Sequence, residues 1–89
     1  MEIYIRKHNI WNGTEFITNN HRNFMSYDKC KASIEEYIDD MLDCYPDLKV
    51  EIGEEQKYNE FCMYSVTISW KGYYETCKEN LTIHREYVY

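Results

Sequence analysis

Cysteine, histidine and carboxylate side chains are the groups here that could carry chemistry. Cys30, Cys44, Cys62 and Cys77 lie 14, 18 and 15 residues apart, and His8, His21 and His84 form no close pair with them or with each other. Structural zinc sites draw their ligands as close pairs from single turns, so this spread favours buried, reduced thiols over a metal. A cysteine nucleophile needs a base such as His84 or His21 held beside it, and no local pattern specifies that pairing. Three isolated glycines cannot form a phosphate-cradling loop. No catalytic residue, metal ligand or cofactor site is assigned.

The carboxylates are more informative. Sixteen Asp and Glu stand against ten Lys and Arg, a net charge of −6, and the imbalance is local. Residues 1–31 hold five basic against three acidic side chains, residues 32–62 two against ten, and residues 63–89 three of each. The acidic block repels nucleic acid and anionic membranes and attracts basic protein surfaces. Glu35, Glu36, Asp39, Asp40 and Asp43 are its centre, extended by Asp47, Glu51, Glu54, Glu55 and Glu60. The spacing lacks the twelve-residue calcium loop, and side chains on a solvent face are simply hydrated, which leaves divalent-cation and acid–base chemistry without support. A solvated face is the plain reading. A sharper one is a decoy, in which carboxylates along a rigid helix imitate phosphates and occupy a Lys/Arg groove built for DNA or RNA.

One element must position these acids. Tyr27, Cys30, Ile34, Tyr37, Ile38, Met41, Leu42 and Tyr45 recur at the period of an amphipathic helix over residues 26–46. The five central acids fan over roughly 140° on the opposite side. Ser26 is the expected N-cap, Asp28 suits the first turn, and Pro46 ends the run.

The rest reads as strand. Residues 2–11 place Ile3 and Ile5 on one side and Tyr4 and Ile10 on the other. Asn12-Gly13 signals a type I′ hairpin turn into a return strand over 14–18. Asn19 to Asn23 reads as a polar connector, with Phe24-Met25 stapling the helix entry. After Pro46, Leu48, Val50 and Ile52 alternate with polar residues, and Gly53 to Lys57 forms a charged turn. Residues 61–70 put Cys62, Tyr64, Val66, Ile68 and Trp70 on one face. Lys71-Gly72 turns into a strand over 73–77, and residues 81–89 either continue it or form another. The fold class is therefore α+β: one domain over residues 1–89, a mostly antiparallel four- to five-stranded sheet with one helix on one face, in β-β-α-β-β-β order. The uncovered face is a candidate interface, because ten tyrosines and two tryptophans suit half-exposed surfaces.

Residues 1–20 show no apolar signal segment and no run approaches a membrane span, so the expected location is the cytoplasm, and the two Asn-x-Thr sequons are chance matches. Richness in Ile, Lys, Asn, Tyr and Glu, with a single Ala, is the bias of an AT-rich genome, such as a low-GC bacterium or its phage. The ribonucleoprotein-type aromatic motifs of sheet-based binders are absent and the net charge is adverse, so direct nucleic-acid binding is not expected. In size, acidity and want of a catalytic motif the chain resembles the small single-domain inhibitors that phages encode against host nucleic-acid machinery, anti-CRISPR proteins among them. That likeness implies a non-enzymatic protein in the host bacterial cytoplasm. The expected partner is a basic nucleic-acid-handling protein, held by Glu35, Glu36, Asp39, Asp40, Asp43, Asp47, Glu54 and Glu55. The alternative expectation is a homodimer or larger homo-oligomer, a structural or accessory protein joined through an aromatic open face or an edge strand such as residues 81–89.

Overall fold

One tight turn joins the first two strands of a five-stranded sheet. The computed structural model describes residues 1–56, 58–59, 61–72 and 75–88. Strand β1 (Glu2–Asn12) folds back onto β2 (Glu15–Phe24) through Gly13-Thr14. Gly13 has φ of 61° and no other described residue has positive φ. The turn therefore places glycine at its first central position, the type II′ arrangement, rather than the expected type I′ with Asn12 in the turn. Asn12 stays in the strand, opposite Glu15. A Cβ at Gly13 would meet Glu75 Oε2 at 2.7 Å, and an L side chain resists that φ. Gly13→Ala is expected to cost about 1–2 kcal/mol in urea unfolding, mostly from the backbone, since the Glu75 carboxylate can swing away.

The polar run Asn19 to Asn23 is strand, not connector. It pairs with Asn9 to Ile5 in unbroken register, after a bulge that leaves Ile17 as the extra residue. Turn-forming side chains are tolerated there because β2 is an edge strand whose ladder with β1 is already set by the turn. Phe24 packs on the core at the end of β2, while Met25 is exposed and staples nothing.

Helix α1 (Tyr27–Cys44) follows, with Ser26 Oγ accepting from the Lys29 N–H at 3.3 Å and the Tyr45 N–H closing on the Met41 carbonyl at 2.7 Å. The strand order β2-β1-β5-β4-β3, with β3 at Lys49–Ile52, β4 at Tyr64–Lys71 and β5 at Thr76–Tyr87, explains its length. It connects one sheet edge to the other, four strand spacings or about 19 Å away, and its 18 residues make about 27 Å of helix, enough for a diagonal crossing. It leads to β3, then β4 and β5, and every pairing is antiparallel. Residues 76–87 are thus one strand. It lies at the centre of the sheet between β1 and β4, so residues 81–87 are not the expected edge. The edges are β2 and β3. Phe61 is exposed and β4 begins at Tyr64, three residues later than the alternation suggested. Lys57, Glu60, Tyr73, Tyr74 and Tyr89 lie outside the described residues.

The registers assign the faces. Tyr64, Val66, Ile68 and Trp70 stand opposite Ile83, Leu81, Glu79 and Cys77. Tyr64, Val66, Ile68, Trp70, Leu81 and Ile83, with Tyr4 and Phe24, pack in one core with Cys30, Ile34 and Ile38 of α1, and His8, Glu79 and Cys77 share that side of the sheet. Tyr4, Tyr27, Tyr37 and Tyr64 also belong to this layer, and Tyr45 stacks on Trp70 with ring centres 4.6 Å apart. These five tyrosines join helix and sheet. Among the described residues the open face carries Asn, Thr, Ser, Lys and His together with Ile3 and Ile5 of β1, and Trp11 and Phe16 lie in edge-to-face contact at one end. That composition departs from the expected aromatic face.

Candidate functional site

Glu35, Glu36, Asp39, Asp40 and Asp43 are all exposed on α1, while Cys30, Ile34 and Ile38 are buried on its other side. Side chains four apart are neighbours along a helix, so Glu35–Asp39–Asp43 and Glu36–Asp40 form two adjacent rows. No Lys or Arg occurs between Lys31 and Lys49 to interrupt them. Five charges over a rise of about 12 Å give roughly one every 2–3 Å along the axis, close to the one per 1.7 Å of duplex DNA. The rows also oppose the helix dipole. The last turn holds Asp43 and no basic residue, whereas the dipole favours cations there. Helix stability gains nothing from this arrangement.

The other predicted acids divide. Asp47 is exposed just beyond Pro46 and borders a groove of about 660 Å³ that includes Tyr45, Leu48 and Trp70. Glu54 and Glu55 are exposed too, but their loop lies against the opposite half of the helix: Glu55 accepts from the Tyr27 hydroxyl and from Lys31 Nζ at 3.0 Å. Burial and this carboxylate raise the Tyr27 pKa. Lys31 offsets part of the Glu55 charge, so the continuous acidic surface is the helix face with Asp47.

Neither buried thiol is brought beside His21 or His84. Cys30 and Cys77 are buried on the helix side of the sheet, and His21 and His84 belong to the open face. Burial pushes the Cys30 thiol up to about 11, which suppresses the thiolate a nucleophile requires. Among the described residues no group of His, Cys, Asp and Glu is arranged to hold a metal.

One polar cluster escaped the sequence reading. Glu79 is 1% exposed in the middle of β5. Its Oε1 accepts from His8 Nε2 at 2.7 Å and from the Tyr37 hydroxyl, and its Oε2 accepts from Trp70 Nε1 at 2.7 Å. The imidazole of His8 also meets the Tyr37 ring edge-on at 4.7 Å. Burial raises the Glu79 pKa, but the three donors outweigh it and the net direction is down. With both oxygens engaged and water excluded, this carboxylate has no lone pair directed at a substrate. It acts as a brace joining β1, α1, β4 and β5. The available signal was its phase: Glu79 falls on the same alternation as Cys77, Leu81 and Ile83.

No helix among the described residues is long and apolar enough to cross a membrane. Comparison with protein-family models, curated proteins and solved structures finds no match to this chain.

Proposed function

We propose that this chain is a non-enzymatic inhibitor of the kind phages and mobile elements direct against host nucleic-acid machinery, anti-CRISPR-like in character. Its α1 acids and Asp47 occupy a basic groove that would otherwise hold nucleic acid. The carrying observation is the uninterrupted acidic face, which approaches the charge density of a duplex and runs against the dipole of its own helix. Long-range attraction between such a face and a Lys/Arg groove accelerates encounter and fixes orientation. Tyr45 and Trp70, stacked at the helix end beside Asp47, supply apolar contact area next to the charge.

A tagged pull-down from a low-GC bacterial lysate, read by mass spectrometry, tests the reading. The control changes Glu35 and Glu36 to Gln and Asp39, Asp40 and Asp43 to Asn. A nucleic-acid-handling protein captured by the native chain and lost by the five-amide variant is the expected result. Equal capture by both would remove the acidic face from the interface.

A second reading, association of two copies, is favoured by β2. This edge strand is ten residues long and carries only Glu15 and Arg22 as charged side chains besides His21. Long, weakly charged edges are templates for strand pairing. Light scattering that gives a monomer mass at all concentrations would exclude it.

A further inference from the structure

The acidic helix occupies one side of the sheet, and the charge on the other side has the opposite sign. We propose that the open face binds single-stranded nucleic acid, with cations holding phosphates and Trp11 stacking a base. The two sites lie on opposite sides of the sheet, so this inference does not rest on the inhibitor reading.

The registers define the surface. Trp11 stands opposite Phe16 on one side and Lys78 on the other, Lys78 opposite Ser69, and Ser69 opposite Lys49. This row crosses all five strands, a track of about 19 Å. In the next row Asn80 lies between Asn9 and Thr67, and in the one beyond, Lys7 lies between His21 and Thr82. A groove of about 410 Å³ lined by Trp11, Gly13, Thr67, Lys78 and Asn80 opens along the track. Its volume lies in the range of small-ligand pockets, large enough for a base.

The chemistry of the groove suits a polyanion with flat bases. Among the described residues the ion pairs are His8–Glu79 and Lys31–Glu55, so Lys7 and Lys78 have no carboxylate partner there. Burial, with Lys7 and His21 as smaller contributors, holds the His84 imidazole below its usual range. Asn80 donates to Thr67 Oγ1 at 3.1 Å and Ser65 Oγ at 3.3 Å, which fixes its amide and leaves its oxygen to accept from a base edge. The acids near this face are peripheral: Glu51 on β3, Glu86 near the end of β5, and Glu75 against Gly13. The helix acids are exposed on the outer side of α1, with the packed core and the sheet between them and the track.

An acidic helix from a second copy matches the charge but not the shape. The middle of the face consists of Asn9, Asn80, Thr67 and Thr82, which offer no apolar socket for a helix. A ring, two cations and a fixed amide match a strand whose bases stack and whose phosphates alternate with them.

The test is fluorescence anisotropy of a labelled twelve-residue oligothymidylate titrated with the full chain at 50 and 200 mM salt. Expected is saturable binding that weakens about 7- to 20-fold between the two salts, as two to three phosphate contacts require. Trp11→Ala should weaken it about tenfold or more. Because Trp11 also packs on Phe16, the exposed Lys78→Gln is the second variant. It should weaken binding with the circular dichroism spectrum unchanged and flatten the salt dependence. The five-amide helix variant should bind undiminished. No saturation at 100 µM protein and 50 mM salt would overturn the proposal. So would binding indifferent to both Trp11→Ala and Lys78→Gln, or a mass that doubles over the same range without the oligonucleotide being bound.

Discussion

Glu79→Leu should cost the fold about 3–5 kcal/mol, a large part of the roughly 5–15 kcal/mol by which such domains are stable. The argument concerns what the substitution leaves behind. Leucine removes both acceptor oxygens and strands the N–H of His8, the hydroxyl of Tyr37 and the N–H of Trp70. Each buried donor without an acceptor costs about 1–3 kcal/mol, with Tyr37, which is only half-buried, at the lower end. Glu79→Gln should cost less, about 2–3 kcal/mol, because the amide still accepts on one side while its NH₂ confronts a donor on the other. Urea unfolding of both variants measures the difference. A further variant that also changes His8 to Leu, Tyr37 to Phe and Trp70 to Phe removes the donors together with the acceptor. It should recover much of the loss, and failure to recover would mean that packing rather than hydrogen bonding dominates the site. The pH dependence has a defined sign. The folded pKa of Glu79 lies below its ordinary 4.5, so its stabilisation is present above that value and is lost as pH falls through the folded pKa. The native chain should therefore lose stability in acid more steeply than Glu79→Leu.

The contrast between α1 and this cluster shows where sequence ceases to inform. Everything that defines α1 is local: the Ser26 cap, the three- and four-residue steps of Tyr27, Cys30, Ile34 and Ile38, and the stop before Pro46. The alternation of Tyr64, Val66 and Ile68 is local too, and it correctly marked the buried face of β4. The expected element order and fold class follow from such signals. The Glu79 cluster spans separations of 71, 42 and 9 residues. Only the placement of β5 between β1 and β4 brings its members together, and nothing in residues 76–87 announces that placement. For the same reason the open face was misread. Counting aromatic residues suggested tyrosines on both sides, but the register sends Asn9, Asn80 and Thr67 outward and keeps Tyr4, Tyr37 and Tyr64 with the helix. The run Asn19 to Asn23 failed differently. Its intrinsic turn preference is overridden by the ladder with β1, which runs in unbroken register from Asn19 to Asn23.

The helix acids were legible one by one, and their energetic cost makes the second large prediction. In the five-amide variant the domain should become more stable even as the proposed partner is lost. Glu35–Asp39, Glu36–Asp40 and Asp39–Asp43 are like-charge pairs four apart, and Glu36–Asp39 and Asp40–Asp43 are pairs three apart. Each destabilises an exposed helix by about 0.2–0.5 kcal/mol. Asp43 adds an unfavourable dipole contribution of about 0.3–1 kcal/mol in a last turn without a cation. Neutralising all five should raise stability by about 1–3 kcal/mol, or a melting temperature higher by at least 4 °C for a domain of this size. Salt provides the internal check: adding it should raise the melting temperature of the native chain more than that of the variant, because only the native chain has this repulsion to screen. Lysine replacement would not substitute for the amides, since it relieves the dipole but restores repulsion with the sign reversed. A variant that is more stable and still captures the same partner would make the acidic face a solvated surface. A variant that is more stable and captures nothing would show that the face is kept at the expense of the helix that carries it, which is the behaviour of a binding site.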